Sequence, residues 1–247
     1  MRKPLAITFI EVLLIITALL VLAAMLLPAL DKAKAKASRV NCMGNLKQIG
    51  IGYRLWANDN GDLFPFQQSV TNGGWADLLT NANQGTNCWT NYFILGNELG
   101  QSPKLLICPY DERQPAPSFG STFDNTHVSY FVGVNANDLY PQSFLAGDRN
   151  LGPGTKPDPD YGYSPKSGKG NDVTFSISNS VSWSLKMHFA ENHAGVGNIL
   201  LGDGSGEQLT TKTLNQTWIS NAPGTNNWAA RHIPASPASP SIRLVFP

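Results

Sequence analysis

The sequence is poor in charge. Only 14% of its 247 residues are Asp, Glu, Lys or Arg, against about 25% in an average soluble domain. The formal net charge is +1, so no overall field draws nucleic acid or an anionic surface. Three cysteines, Cys42, Cys88 and Cys108, form no CxxC pair, which argues against a thiolate zinc site. No Lys-Ser/Thr follows the glycines at 195, 197, 202, 204 and 206, so they are not a phosphate loop. Ser205 lies in Gly-Asp-Gly-Ser-Gly, which lacks the nucleophile-elbow pattern G-x-S-x-G. No internal repeat is evident.

What is present is concentrated at the N-terminus. Residues 1–6 read MRKPLA, a short basic stretch, followed by Ile7-Thr8-Phe9-Ile10-Glu11. Across 12–30 only Thr17 and Pro28 break an apolar run. As a helix, that run crosses a hydrocarbon core of about 30 Å. A cleaved secretory signal, with Ala29 as its cleavage residue, normally has a shorter apolar stretch of about 7–15 residues. A plain anchor accounts for the length and leaves Glu11 unexplained. An acid entering an apolar helix costs about 2.5–3.5 kcal/mol at mid-membrane and less near the edge.

A prepilin leader accounts for both features. The segment resembles the type IV pilin and type II secretion pseudopilin superfamily, in which a short basic leader ends in Gly or Ala. Ala6 matches the residue before the cut. Ile7, Thr8, Phe9, Ile10 and Glu11 match the start of the mature protein, with Glu11 at the family's glutamate position. Ala6 replaces the usual Gly and Ile7 the usual Phe. The resemblance implies cleavage between Ala6 and Ile7 by a prepilin peptidase/methyltransferase, and N-methylation of Ile7. It implies that Glu11 sets register during assembly with other pilin-like subunits on an inner-membrane platform. It also implies a single-pass inner-membrane protein with a periplasmic body. Arg2 and Lys3 precede the span while Lys32, Lys34, Lys36 and Arg39 follow it, so a charge count alone would put the body in the cytoplasm. The motif outweighs that count here.

The helical pattern continues past the span. Cys42, Leu46, Ile49, Tyr53 and Trp56 recur at steps of four and three, one apolar face of an amphipathic helix. Asn58-Asp59-Asn60-Gly61 is a stop signal. A helix over 7–58 would be about 75–80 Å long. Pro28 removes one of its ladder hydrogen bonds and predicts a kink. Gly44, Gly50 and Gly52 suggest close packing or modest flexibility.

The body reads as loop-rich. Short helices are predicted at 75–81 and 91–99, and strands at 128–134, 143–146 and 242–246. A hairpin is predicted over 198–210, a helix at 211–221, and an exposed loop over 152–171. The pattern assigns 1–6 to a leader, 7–58 to a long helix (7–30 spanning, 31–58 amphipathic) and 59–247 to a periplasmic globular domain. The expected class is α+β: a long helix on a loop-rich domain with a small antiparallel sheet, pilin-like. Asn45–Gly50, Ile107-Cys108-Pro109-Tyr110-Asp111, Ala146-Gly147-Asp148-Arg149-Asn150 and Gly197–Ser205 resemble stretches of large pseudopilin-like proteins. That resemblance implies no enzymatic activity, and the net charge of +1 leads to the expectation of no nucleic-acid partner.

Several candidate sites remain. If the body lies outside the cytoplasm one disulfide can form, and Cys88 and Cys108, both in the loop-rich body, are the better pair, with Cys42 a packed apolar residue. His188, Glu191 and His193 have metal-binding side chains, with the two histidines five apart rather than the helical four. Asp158, Asp160 and Asp203 could supply calcium oxygens, though without EF-hand spacing; Asp203 is the metal candidate of the hairpin. Trp75, Trp89 and Trp218 are the tryptophans to weigh as a sugar-binding surface. The function expected is a pilin-like subunit of a secretion pseudopilus or pilus. The alternative is a membrane-anchored periplasmic binding protein or enzyme sharing the leader.

Overall fold

Helix α1 spans Phe9–Asp59 and runs through Pro28 as one element. The computed structural model describes residues 8–80, 87–137, 141–156, 158–165, 167–176, 180–187, 195–218 and 241–247. Internal contacts divide the chain into residues 1–38 and 39–247. In the first unit every residue from Thr8 to Lys34 is exposed. In the second, Cys42, Leu46, Ile49, Tyr53 and Trp56 are buried, the stripe that the sequence periodicity predicts, and Ala57 is buried beside them. Gly50 and Gly52 share this face for a steric reason. A Cβ at Gly50 would lie 3.0 Å from Leu200, and one at Gly52 3.0 Å from Leu99. The helix ends where predicted. Asp62 N–H donates to Ala57 O at 2.8 Å, and both Gly61 and Asp62 take positive φ.

The fold class is α+β. Among the described residues eight strands form two antiparallel sheets: β1 (Tyr130–Gly133), β2 (Phe144–Asp148), β3 (Leu151–Pro153), β4 (Asn171–Ser176), β5 (Val181–Trp183), β6 (Val196–Leu201), β7 (Gly206–Thr210) and β8 (Ser241–Phe246). The larger sheet has the order β4-β8-β1-β2-β6-β7, and β3 pairs with β5 in the smaller. The predicted hairpin is β6–β7, with Ile199 opposite Glu207. The last strand, β8, lies between β4 and β1.

Alternation along the strands divides the core in two. Tyr130, Val132, Leu200 and Val245 join the α1 stripe in one cluster. Phe131, Ile199, Leu201, Leu244 and Phe246 join Leu151, Trp183 and Leu214 in the other. The large sheet is therefore covered on one face by α1. On the other it is covered by the small sheet and helix α3 (Thr211–Trp218). Antiparallel sheets often leave one face to water; here β1, β2 and β6 are buried along their whole length.

Four expectations need correction. Helix α2 spans Cys88–Ile94, three residues ahead of the predicted start, and the predicted 75–81 helix is a 3₁₀ segment, Ala76–Thr80. The 152–171 stretch is not simply an exposed loop: it begins within β3, and Tyr161 and Ser164 are buried. The disulfide joins Cys42 to Cys108, with Cα atoms 5.0 Å apart, and Cys88 is free and buried. The reason is the helix face. Cys42 belongs to the α1 stripe, and one turn on Asn45 Nδ2 donates to Ile107 O at 3.0 Å, bringing Cys108 alongside. Cys88 instead starts α2 and points its thiol at Tyr130 O. Burial pushes that thiol well above its ordinary range, so it is a packed group and not a nucleophile.

Candidate functional site

Two places carry the residues that the sequence singles out. The first is the start of α1. Ala6 and Ile7 lie outside the described residues. Glu11 is exposed, and its Oε2 accepts hydrogen bonds from Thr8 N at 2.9 Å and Thr8 Oγ1 at 3.0 Å. Thr8 O in turn accepts from Glu11 N at 3.1 Å. The carboxylate thus caps its own helix, meeting an N–H that has no intrahelical partner and facing the positive end of the helix dipole. The sequence carries the signal for this role, since Thr8-Phe9-Ile10-Glu11 spells a Thr-x-x-Glu capping signature.

The second is a buried polar centre where three of the quoted sequence stretches converge. Asp111 and Arg149 form a bidentate pair, with Nε and Nη2 each 2.7 Å from a carboxylate oxygen. Their side chains are 0% and 1% exposed, so the pair is fully desolvated. Burial pushes the Asp111 carboxyl up, but the hydrogen bonds and charge of Arg149, helped by Ser129 and Arg113, hold it below the ordinary range. The Arg149 guanidinium also stacks 3.5 Å from the Tyr161 ring centroid. Nearby, Arg113 donates to the carbonyls of Asn125, Val128, Pro165 and Pro247. Burial and the like charge of Arg149 bring Arg113 down to about 10.

Successive residues of the 148–150 stretch reach different neighbours. Asp148 Oδ2 accepts from Asn198 N at 2.7 Å and Asn198 Nδ2 at 2.9 Å, tying β2 to β6. Arg149 ties the end of β2 to the 107–111 segment. Asn150 Nδ2 donates to the carbonyls of Ser184, Lys186 and Val196. These side chains are buried and engaged with one another, so the arrangement fastens segments that are distant in sequence. It offers no exposed acid–base pair to a substrate.

Among the described residues one group of three potential metal ligands comes together: Cys42, Cys108 and Asp148, all buried. The two sulfurs are joined in the disulfide, so neither is a thiolate donor. Asp203 is exposed and accepts from Ser205 N at 2.8 Å, while Asp158 accepts from Asp160 N at 2.7 Å. The three aspartates are not brought into one cluster. His188, Glu191 and His193 lie outside the described residues. Trp75 is fully buried, Trp89 is half-buried beside a surface groove, and the Trp218 side chain lies outside the described set. In comparisons with known proteins, no family model, no curated protein and no solved structure matches this chain.

Proposed function

We propose that this chain is a pilin-like structural subunit, a pseudopilin, that acts by assembly and not by catalysis. The observation that supports this best is the division of α1 along its length. Its first part is apolar all round, exposed, and headed by Glu11, while its second part is built into the core of the body. The exposed part, long and apolar enough to cross a membrane, needs lipid or other helices around it. In this reading it anchors the protein in the bacterial inner membrane and then moves into a pseudopilus or pilus-like filament. The Cys42–Cys108 disulfide supports a body outside the cytoplasm, because such bonds persist in oxidising compartments. It therefore weighs against the cytoplasmic placement that the lysine and arginine count suggests.

Glu11 would then have two successive partners. In the isolated chain Thr8 satisfies it. In an assembly, the new α-amine of Ile7 on a neighbouring copy could pair with it, and a subunit in the wrong register would bury an unpaired charge. Mass spectrometry of the purified N-terminus tests the reading. The expected species begins at methylated Ile7. An intact Met1, or a cut near Ala29, would falsify the proposal and favour the anchored binding protein or enzyme, or a secretory signal.

A further inference from the structure

Phe93 stands between two surface grooves of the body. One, about 400 Å³, is lined by Trp56, Phe93, Phe119, Asn97, Glu98 and Gln101, among others. The other, about 530 Å³, is lined by Trp89, Phe93, Phe123, Thr90, Ser121 and Asp124, together with Gly120. Both volumes fall within the usual range for small-molecule sites, about 300–1,000 Å³.

The aromatic wall is built locally. Trp89 and Phe93 lie one turn apart on α2 with ring centroids at 6.0 Å, Trp89 meets Phe123 at 6.1 Å, and Phe123 meets Phe119 at 5.0 Å. All three contacts are edge-to-face, so the rings brace one another at the surface. Phe93 itself is 44% exposed.

The polar lining of the first groove is incomplete. Glu98 Oε2 is buried and accepts no hydrogen bond among the described residues. A native structure seldom leaves such an oxygen unmet, because an unsatisfied buried acceptor carries its full desolvation penalty. Close by in sequence, Gln101 Nε2 donates to Asn97 Oδ1 at 2.8 Å. That bond uses one amide donor and one amide acceptor. It leaves Asn97 Nδ2 as a donor and Gln101 Oε1 as an acceptor. The groove therefore presents both acceptors (Glu98 Oε2, Gln101 Oε1) and donors (the remaining amide N–H groups of Asn97 and Gln101) beside aromatic rings. An ammonium group has donors only and engages the acceptors alone. A hydroxyl both donates and accepts, and a pyranose combines a rim of hydroxyls with an apolar C–H face that stacks on aromatic rings.

We propose that the two grooves flanking Phe93 form a carbohydrate-binding site, with a pyranose subsite on each side of the ring. Glu98 and the Asn97–Gln101 pair bind the hydroxyls in the first subsite, and Trp89 supplies the stacking surface in the second. This site is independent of the assembly proposed above, and failure of either leaves the other standing.

The test is affinity electrophoresis of the full chain, held in a zwitterionic detergent without a sugar headgroup. The gels contain xylan, mixed-linkage β-glucan, galactomannan or starch. At least one neutral polysaccharide should retard the protein, and calorimetry with its hexasaccharide then gives Kd. Glu98→Gln and Phe93→Ala should each weaken that Kd by about tenfold. Glu98→Gln should melt as the wild type does because it is isosteric, and Phe93→Ala should melt only slightly lower because 44% of Phe93 is exposed. A weakened Kd in either variant upholds the site. Absence of retardation by all four polymers, or an unchanged Kd in both variants, overturns it. So does Phe93-dependent binding of oligolysine in place of the glycans, which would assign a cationic partner.

Discussion

Helix α1 contains two apolar regions that meet opposite ends. From Val12 to Leu30 the side chains are apolar on every face, Thr17 apart, and large ones such as Leu20 and Leu26 are more than 60% exposed. From Cys42 to Trp56 they recur on one face and are buried, while Ile51 and Leu55 on the other face remain exposed. Both regions favour helix, so local propensity does not separate them. The difference lies in angular distribution. A body packed on one side can cover a stripe, whereas a helix that is apolar all round must be surrounded. The first region thus looks for partners outside the chain and the second finds them within it.

The comparison can be broken at the points where the body grips the second region. The Asp111–Arg149 pair sets the position of the 107–111 segment, to which Cys42 and Asn45 of α1 are fastened. Asp111→Asn leaves Arg149 buried without its counter-charge and should cost about 3–5 kcal/mol in chemical denaturation at pH 7. The Asp111 carboxyl is held below its ordinary range in the folded state. Its contribution is therefore complete above the unfolded value of about 3.9 and is lost as pH falls through the lower folded value. The gap between wild type and Asp111→Asn should narrow in melts below about pH 4. A gap independent of pH would show that the charge is not what holds the segment.

Next in size is the disulfide. It closes a loop across 66 residues. Loss of that crosslink in Cys42→Ser should lower stability by about 4 kcal/mol in the chain-entropy model. Cys88→Ser should leave the bond intact, which thiol labelling of the unfolded protein can confirm. Leu46→Ala should follow, at about 3 kcal/mol, because its side chain is wholly buried. Leu20→Ala is the control in the other region: the melt of the body should not move, while extraction from membranes becomes easier. An equal loss in both would erase the distinction between the regions. The smallest effect is a gain. A Cβ added at Gly44 meets nothing within 4 Å, so Gly44→Ala should stabilise the helix by about 1 kcal/mol. A loss there would indicate that this turn needs glycine for a contact outside the chain.

Much of the fold was legible where the signal is short-range. The Cys42–Trp56 stripe follows from side chains that recur at helical spacing, and the β6–β7 hairpin from two strand-like runs around Gly202-Asp203-Gly204-Ser205. The edges of α2 were harder. Asn87 is a favoured N-cap residue type, but its side chain makes no capping hydrogen bond, so the local mark at the start is weak. Strands β4 and β5 alternate, with Val173 and Phe175 between polar residues and Val181 and Trp183 flanking Ser182, but the runs are short and their pairing partners lie elsewhere in the sequence. Asn171–Ser176 pairs with β8, about 70 residues later. At the candidate site, Glu11 was legible as an acid in an apolar setting. Its bond to Thr8 was equally available in the sequence and was overlooked. The quoted stretches around Asp111, Arg149 and Asn198 were visible one by one, with nothing to say that they meet.

By itself, the sequence determined the apolar helix, the glutamate at its head, the change from all-round to one-sided apolar patterning, and the place where the helix stops. These depend on spacing within a few turns, which a linear string displays directly. Tertiary structure decided which cysteine Cys108 takes, that Arg149 reaches Asp111, and that β8 enters the sheet between β4 and β1. Each of those choices compares partners tens of residues apart. Several are chemically equivalent in the sequence, and only the approach of α1 to the body and the strand order put one of them within bonding distance.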